Sequence, residues 1–279
     1  MEVIRTREAL QQAVRALRDE GKSIGFVPTM GALHEGHLSL MRQARRENDA
    51  VVCSIFVNPT QFNNPTDLQR YPRHPEQDTQ AVSGICDIAF LPSVEEMYPE
   101  PATETYDFGA LESVMEGSAR PGHFQGVGMV VSRLFELVRP HRAYFGKKDF
   151  QQVAVIRRLV QLKNYPIEIV PVEIVRAEDG LALSSRNALL HADKRAKAPL
   201  IFRTLQQAKH MTDTCSLPEI RQWIAAQLSS DPDFECEYVA VADAVTLQPV
   251  SSFEAAAHIV VCVAVWLDGV RLIDNIELK

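Results

Sequence analysis

Two histidines three residues apart stand in the segment Pro28-Thr29-Met30-Gly31-Ala32-Leu33-His34-Glu35-Gly36-His37. The segment lies between a short apolar run and a helical pattern. A loop that opens a helix offers unpaired N–H groups and the positive end of the helix dipole, which suits phosphate. Gly31 permits a turn with little side-chain bulk, and Gly36 lets the backbone approach a ligand. The imidazoles of His34 and His37 add donors where charge grows on an α-phosphate during adenylyl transfer. Two packed or surface histidines in an ordinary loop are the competing reading. The pattern H-x-G-H alone balances the two, and its place between a strand and a helix favours the phosphate site. Metal binding by the pair is weaker, because no third ligand stands at suitable spacing.

Three further segments carry donors of the same kind. Gly146-Lys147-Lys148-Asp149 follows an apolar run, and a lysine at a helix head can hold phosphate oxygens while an aspartate accepts from ribose hydroxyls. Leu183-Ser184-Ser185-Arg186-Asn187 offers two hydroxyls and a guanidinium to departing pyrophosphate. Alone, each reads more readily as a solvated lysine pair with an N-cap aspartate or as a helix cap. Asn58-Pro59-Thr60-Gln61-Phe62 and Gln152 supply amides that can hold a small hydroxy acid without charging the pocket. Arg120-Pro121-Gly122-His123-Phe124 puts a cation, a turn and an aromatic ring before a buried helix. No P-loop, G-x-G-x-x-G, G-x-S-x-G or H-E-x-x-H pattern occurs, and no cysteine stands out as a nucleophile. Transfer between bound substrates is the simpler chemistry.

The elements that must position these residues alternate. Thr6 caps a helix with Leu10, Val14 and Leu17 on one face, ended by Gly21. Strands are expected over 24–27, 50–57, 85–91, 142–145 and 167–175, with helices from about Glu35, over 127–138 and over 148–162. This pattern predicts an α/β, Rossmann-like parallel sheet with helices on both faces. Ligands then bind beyond the carboxyl ends of the strands, where the motifs fall. After residue 175 the pattern becomes helices over 192–210 and 217–228, then strands over 237–241, 258–267 and 271–278. An Asp268-Gly269 hairpin signal joins the last two. The expected division is a nucleotide- and substrate-binding unit over 1–175 and a smaller α+β domain with an antiparallel sheet over 176–279, closing over the site.

The chain has 279 residues, 46% apolar and 23% charged, which fits a globular enzyme. Its net charge of −7 argues against nucleic acid as a partner. Five scattered cysteines without a C-x-x-C read as reduced core thiols, and the N-terminus has no signal core. Both point to a cytoplasmic protein, and the longest apolar stretch, 259–267, is too short for a membrane partner.

Taken in order, these segments resemble the pantoate–β-alanine ligase (pantothenate synthetase) family of the H-x-G-H nucleotidylyltransferase superfamily. Tyr71-Pro72-Arg73 and the stretch from Asp179 to Asn187 belong to the same pattern, which extends over most of the first 190 residues. The resemblance implies condensation of pantoate with β-alanine through a pantoyl adenylate, releasing AMP and pyrophosphate. The unit over 1–175 would then bind both the nucleotide and pantoate. The resemblance implies ATP contacts from Met30, Gly31, Ala32, Leu33, His34, Glu35, Gly36 and His37. Gly146, Lys147, Lys148, Asp149, Val175, Leu183, Ser184, Ser185 and Arg186 complete the nucleotide site. His37 corresponds to the family's proposed proton donor, Gln61 and Gln152 to its pantoate pair, and Gln61 also to the β-alanine site. Mg²⁺ with ATP and a homodimer are implied as well. Leu183 stands where Met is common, a near volume-conserving change; Gln77 stands where an acidic residue is common, so no protein ligand of Mg²⁺ is assigned. Two rivals remain: a transferase for a phosphorylated acceptor, which would want a second basic patch, and a non-catalytic nucleotide sensor.

Overall fold

Apolar side chains two residues apart share a face of the central strands while their neighbours point to the opposite face, and this alternation builds three layers. In the computed structural model, which describes residues 1–101 and 103–279, Ile24 and Phe26 join one core while Val27 joins the other. Val52 opposes Val51 and Cys53 in the same way, and Ile88 and Phe90 oppose Ala89. The strands are β1 (Glu2–Ile4), β2 (Ile24–Thr29), β3 (Ala50–Ile55), β4 (Ile88–Phe90), β5 (Arg142–Gly146) and β6 (Glu168–Val172). They form a six-stranded sheet in the order β1-β4-β3-β2-β5-β6, with all neighbours parallel. Helices Arg7–Asp19, His123–Val138 and Phe150–Lys163 cover the Phe26 face, and Glu35–Glu47 with Pro75–Val82 cover the other.

The strand order reverses between β2 and β5, which makes this the switch point where such sheets bind ligands. Pairing there is short. Gly25 with Arg142 and Phe26 with Ala143 are in register, yet β2 runs on to Thr29 and β5 to Gly146. The two strands therefore part and open a crevice between their carboxyl ends. Pro28, which has no N–H to give a ladder, lies in this parted stretch.

The remaining strands, β7 (Phe234–Asp243), β8 (Ile259–Leu267) and β9 (Val270–Glu277), form a three-stranded antiparallel sheet. Helices Leu200–His210 and Leu217–Leu228 pack on one of its faces. The other face meets the first layer, with Val260 and Cys262 in one apolar cluster with Met115 and Phe150. The parallel sheet and the separate antiparallel sheet are those expected from the sequence. Several details differ. The helix expected over 192–210 is two, Ala192–Lys197 and Leu200–His210, because Pro199 cannot continue the first. The strand expected over 85–91 pairs only at Ile88–Phe90, since the Ile85 and Cys86 N–H groups turn back to the Val82 carbonyl. The buried helix begins at His123 rather than at Val127. Edge strand β1 was not expected; three residues are too few to show a period. No described helix is long and apolar enough to cross a membrane.

Candidate active site

A cavity of about 210 Å³ opens over the parted ends of β2 and β5. Met30, His34, Gly36 and His37 line it from the loop after β2, and Gly146, Lys148 and Asp149 from the loop after β5. Val175 and Leu183, Ser184, Ser185 and Arg186 line it from beyond β6. Gln61 and Gln152 also reach it, and Phe56, Val127, Val130, Val131 and Leu134 form an apolar wall.

The two motif histidines cap their own helix. The Gly36 N–H donates to His34 Nδ1 at 3.1 Å, and the His34 N–H donates to His37 Nδ1 at 3.3 Å. Each Nδ1 is thus an acceptor, so each neutral ring carries its proton on Nε2. The ring centroids are 4.1 Å apart. A Cβ on Gly36 would come within 2.8 Å of His34 Cε1, so this glycine gives the first ring its place against the backbone. Burial, with Lys148 adding to it, pulls the pKa of His34 down to about 4. Burial, then His34 and Lys148, pulls that of His37 down to about 3. Both rings are therefore neutral donors at pH 7, not imidazolium acids.

Five of the expected ATP contacts do not line the cavity: Gly31, Ala32, Leu33, Glu35 and Lys147. The N–H groups of Ala32 and Leu33 are taken by the carboxylate of Asp78, at 2.9 and 2.7 Å. Asp78 is only 3% exposed and pins the loop from helix Pro75–Val82. Glu35 pairs with Arg42 on its own helix. Lys147 pairs with Glu173 and lies 3.6 Å from Glu277. Asp78 was not singled out in the sequence. A carboxylate forty-odd residues away in a solvated-looking helix gives no local signal of a backbone clamp.

Lys148 is held from two directions. Its Nζ lies 3.8 Å from Asp149 Oδ1, and Asn275 of β9 donates to the carbonyls of Lys147 and Lys148 at 2.8 and 3.0 Å. The third loop is tied to the first by Ser185 Oγ, which donates to the Ala32 carbonyl at 3.1 Å. Leu183 N–H donates to the Val175 carbonyl at 3.0 Å, which brings those two residues together. Arg186 makes a charged fork with Asp67, Nη2 to Oδ2 at 2.9 Å, beside the ring of Tyr71.

Gln61 is 8% exposed. Its Oε1 accepts from Asn58 Nδ2 at 3.1 Å, and its Nε2 approaches Met30 Sδ at 3.0 Å. Asn58 also donates to the Gly126 carbonyl at 3.1 Å. The turn Pro59–Gln61 lies so close to the buried helix that a Cβ on Gly126 would sit 2.3 Å from Thr60 O. Among the described residues no group of three or more His, Cys, Asp or Glu side chains is arranged to hold a metal ion. Both oxygens of Asp78 are already engaged by backbone donors. The described residues thus offer no carboxylate cage for Mg²⁺.

The family model described as pantoate-beta-alanine ligase matches residues 2–277. The pantothenate synthetase of Porphyromonas gingivalis is 48% identical over 280 residues, covering 100% of both chains. That of Bacteroides fragilis is 47% identical, covering 100% of this chain and 99% of its own. The crystal structure of the Thermus thermophilus pantothenate synthetase superposes with a TM-score of 0.94 at 45% identity, covering 100% of each chain. A pantoate-beta-alanine ligase from Francisella tularensis, complexed with beta-gamma ATP and beta-alanine, gives 0.83 at 34% identity, over 100% of this chain and 98% of that one. With the family model spanning nearly its whole length, the chain belongs to the pantoate–β-alanine ligase family.

Proposed function

We propose that this cavity carries out the ATP-dependent joining of pantoate to β-alanine in two steps, both within one chamber. The activity itself, a ligation that forms pantothenate, comes with family membership; the roles of residues are this proposal. The observation that carries it is the convergence of loops after β2, β5 and β6 on one cavity that also holds Gln61 and Gln152. Pantoate's carboxylate attacks the α-phosphorus of ATP, the bond to the bridging oxygen breaks, and pyrophosphate leaves. The Nε2–H groups of His34 and His37 and the ammonium of Lys148 donate to the α-phosphate as its charge grows. Ser184, Ser185 and Arg186 receive the leaving pyrophosphate, Arg186 exchanging or sharing its Asp67 fork. Gln61 and Gln152 hold the polar end of pantoate, and its two methyl groups fit the wall of Val127, Val130, Val131 and Leu134. The amine of β-alanine, beside Gln61, then attacks the acyl carbon of the adenylate and AMP leaves.

Mg²⁺ would be held by the oxygens of the triphosphate and by water, neutralising charge there, with no protein carboxylate required. The division near residue 175 is supported by the two separate sheets, and movement of the smaller part over the cavity belongs to the same proposal. A homodimer rests on the family resemblance and a cytoplasmic location on the scattered cysteines read as reduced thiols; sedimentation reads the first directly. The mechanism is tested by pantoate-dependent pyrophosphate release in single turnover. His37→Ala and Lys148→Ala should each lower the rate about 10²–10³-fold in protein that still folds, His37→Ala with a modest loss of stability because its ring also caps the helix. Folded variants that release pyrophosphate at the normal rate would refute these roles. Release of AMP together with the amide, only when β-alanine is present, separates ligation from simple nucleotidyl transfer.

A further inference from the structure

The Arg120 to Phe124 segment is not absorbed by the cavity, since neither Arg120 nor His123 lines it. Its contacts are directional all the same. Arginine only donates, so Arg120 Nη1, 3.2 Å from His123 Nε2, makes that nitrogen an acceptor and leaves the ring proton on Nδ1. Nδ1 lies 2.9 Å from the carbonyl oxygen of Gln61 and donates to it. His123 is 7% exposed, so this bond is largely shielded from bulk solvent. Arg120 in turn is 3.6 Å from the carboxylate of Glu116. Arg271 of β9 grips that carboxylate through two bonds of 2.8 Å, and Tyr238 of β7 donates to it at 2.8 Å. A line of polar contacts thus starts on the antiparallel sheet and ends on the backbone of Gln61.

We propose that His123, its tautomer set by Arg120, is a positioning residue that fixes the Gln61 backbone and so aims the Gln61 amide at pantoate. This rests on the reading of Gln61 as a pantoate contact. A histidine that merely filled space would not need a defined proton position. Its loss would lower stability and the active fraction without singling out one substrate. The side-chain amide of asparagine can place an N–H close to where the imidazole Nδ1–H lies. His123→Asn should therefore keep the bond, whereas His123→Leu cannot.

The test is steady-state kinetics on the full chain, with ATP and pantoate varied separately, for His123→Leu, His123→Asn, Arg120→Met and Gln61→Ala. For His123→Leu the KM for pantoate should rise about ten-fold, with the KM for ATP within about two-fold of wild type. His123→Asn should stay near wild type. Arg120→Met should shift the pantoate KM in the same direction by less, and it carries the comparison if His123→Leu does not fold. Equal shifts in both KM values, or no difference between the Leu and Asn variants, would overturn the proposal. An unchanged pantoate KM in His123→Leu beside a raised one in Gln61→Ala would do the same. An unchanged pantoate KM in Gln61→Ala removes the underlying reading of Gln61 instead.

Discussion

A histidine that binds its proton only near pH 3 or 4 serves as a hydrogen-bond donor, and the backbone of the helix start decides which nitrogen donates. His34 and His37 are alike in this, and His123 shares the depressed basicity, its pKa lowered to about 4 chiefly by burial and next by Arg120. In the unfolded chain each ring takes up a proton near its ordinary value of 6.5. Between pH 6.5 and about 4 the unfolded state therefore binds more protons than the folded one. Stability is fully present above 6.5 and declines as pH falls, by at most roughly 1.4 kcal/mol per pH unit for each ring. Urea unfolding at about pH 7 and about pH 5 should show this loss, and His123→Asn should reduce it. A midpoint that does not move between the two would mean the rings are protonated in the folded chain.

At the scale of elements, the site is made by strand ends that part and by one close approach. The helix His123–Val138 and the turn Pro59–Gln61 meet at Gly126, where an added Cβ would lie 2.3 Å from Thr60 O and 2.6 Å from Gln61 Cα. Both are backbone atoms, so no side chain can swing away to make room. Gly126→Ala should cost roughly 1–3 kcal/mol of stability in urea denaturation. It should also raise the KM for pantoate, because the displaced turn carries Gln61. A variant of unchanged stability and unchanged KM would show that helix and turn adjust freely.

Across the whole molecule, the antiparallel sheet supports a site built on the parallel one. Asn275 donates from β9 to the carbonyls of Lys147 and Lys148, and Arg176 forks onto Asp274 at 2.6 and 2.9 Å just before it. Asn275→Ala removes two bonds that hold the Lys148 loop. The turnover number is expected to drop about ten-fold, with a stability change of about 1–2 kcal/mol. Stopped-time assays beside thermal unfolding check this. A large loss of stability at normal turnover would make Asn275 structural only.

The chain's own pattern determined the layers and the motif positions. The period of two in Ile24, Phe26 and Val27, the cap at Thr6 and the Asp268-Gly269 turn are local signals, and each element that carries them formed where the sequence placed it. The cavity loops at His34 and Lys148 were legible for the same reason, since each follows a strand and precedes a helical turn, whereas the Ser184 loop lies well past β6 and alone read as a helix cap. Tertiary structure alone decided which polar groups were free. The N–H groups of Ala32 and Leu33 are consumed by Asp78, Lys147 turns to Glu173, Arg186 meets Asp67, and Asn275 reaches Lys148 from another sheet. Hydrogen-bond and ion partners are set by proximity in space, over separations of 26 to 127 residues in these cases, and no local period encodes them.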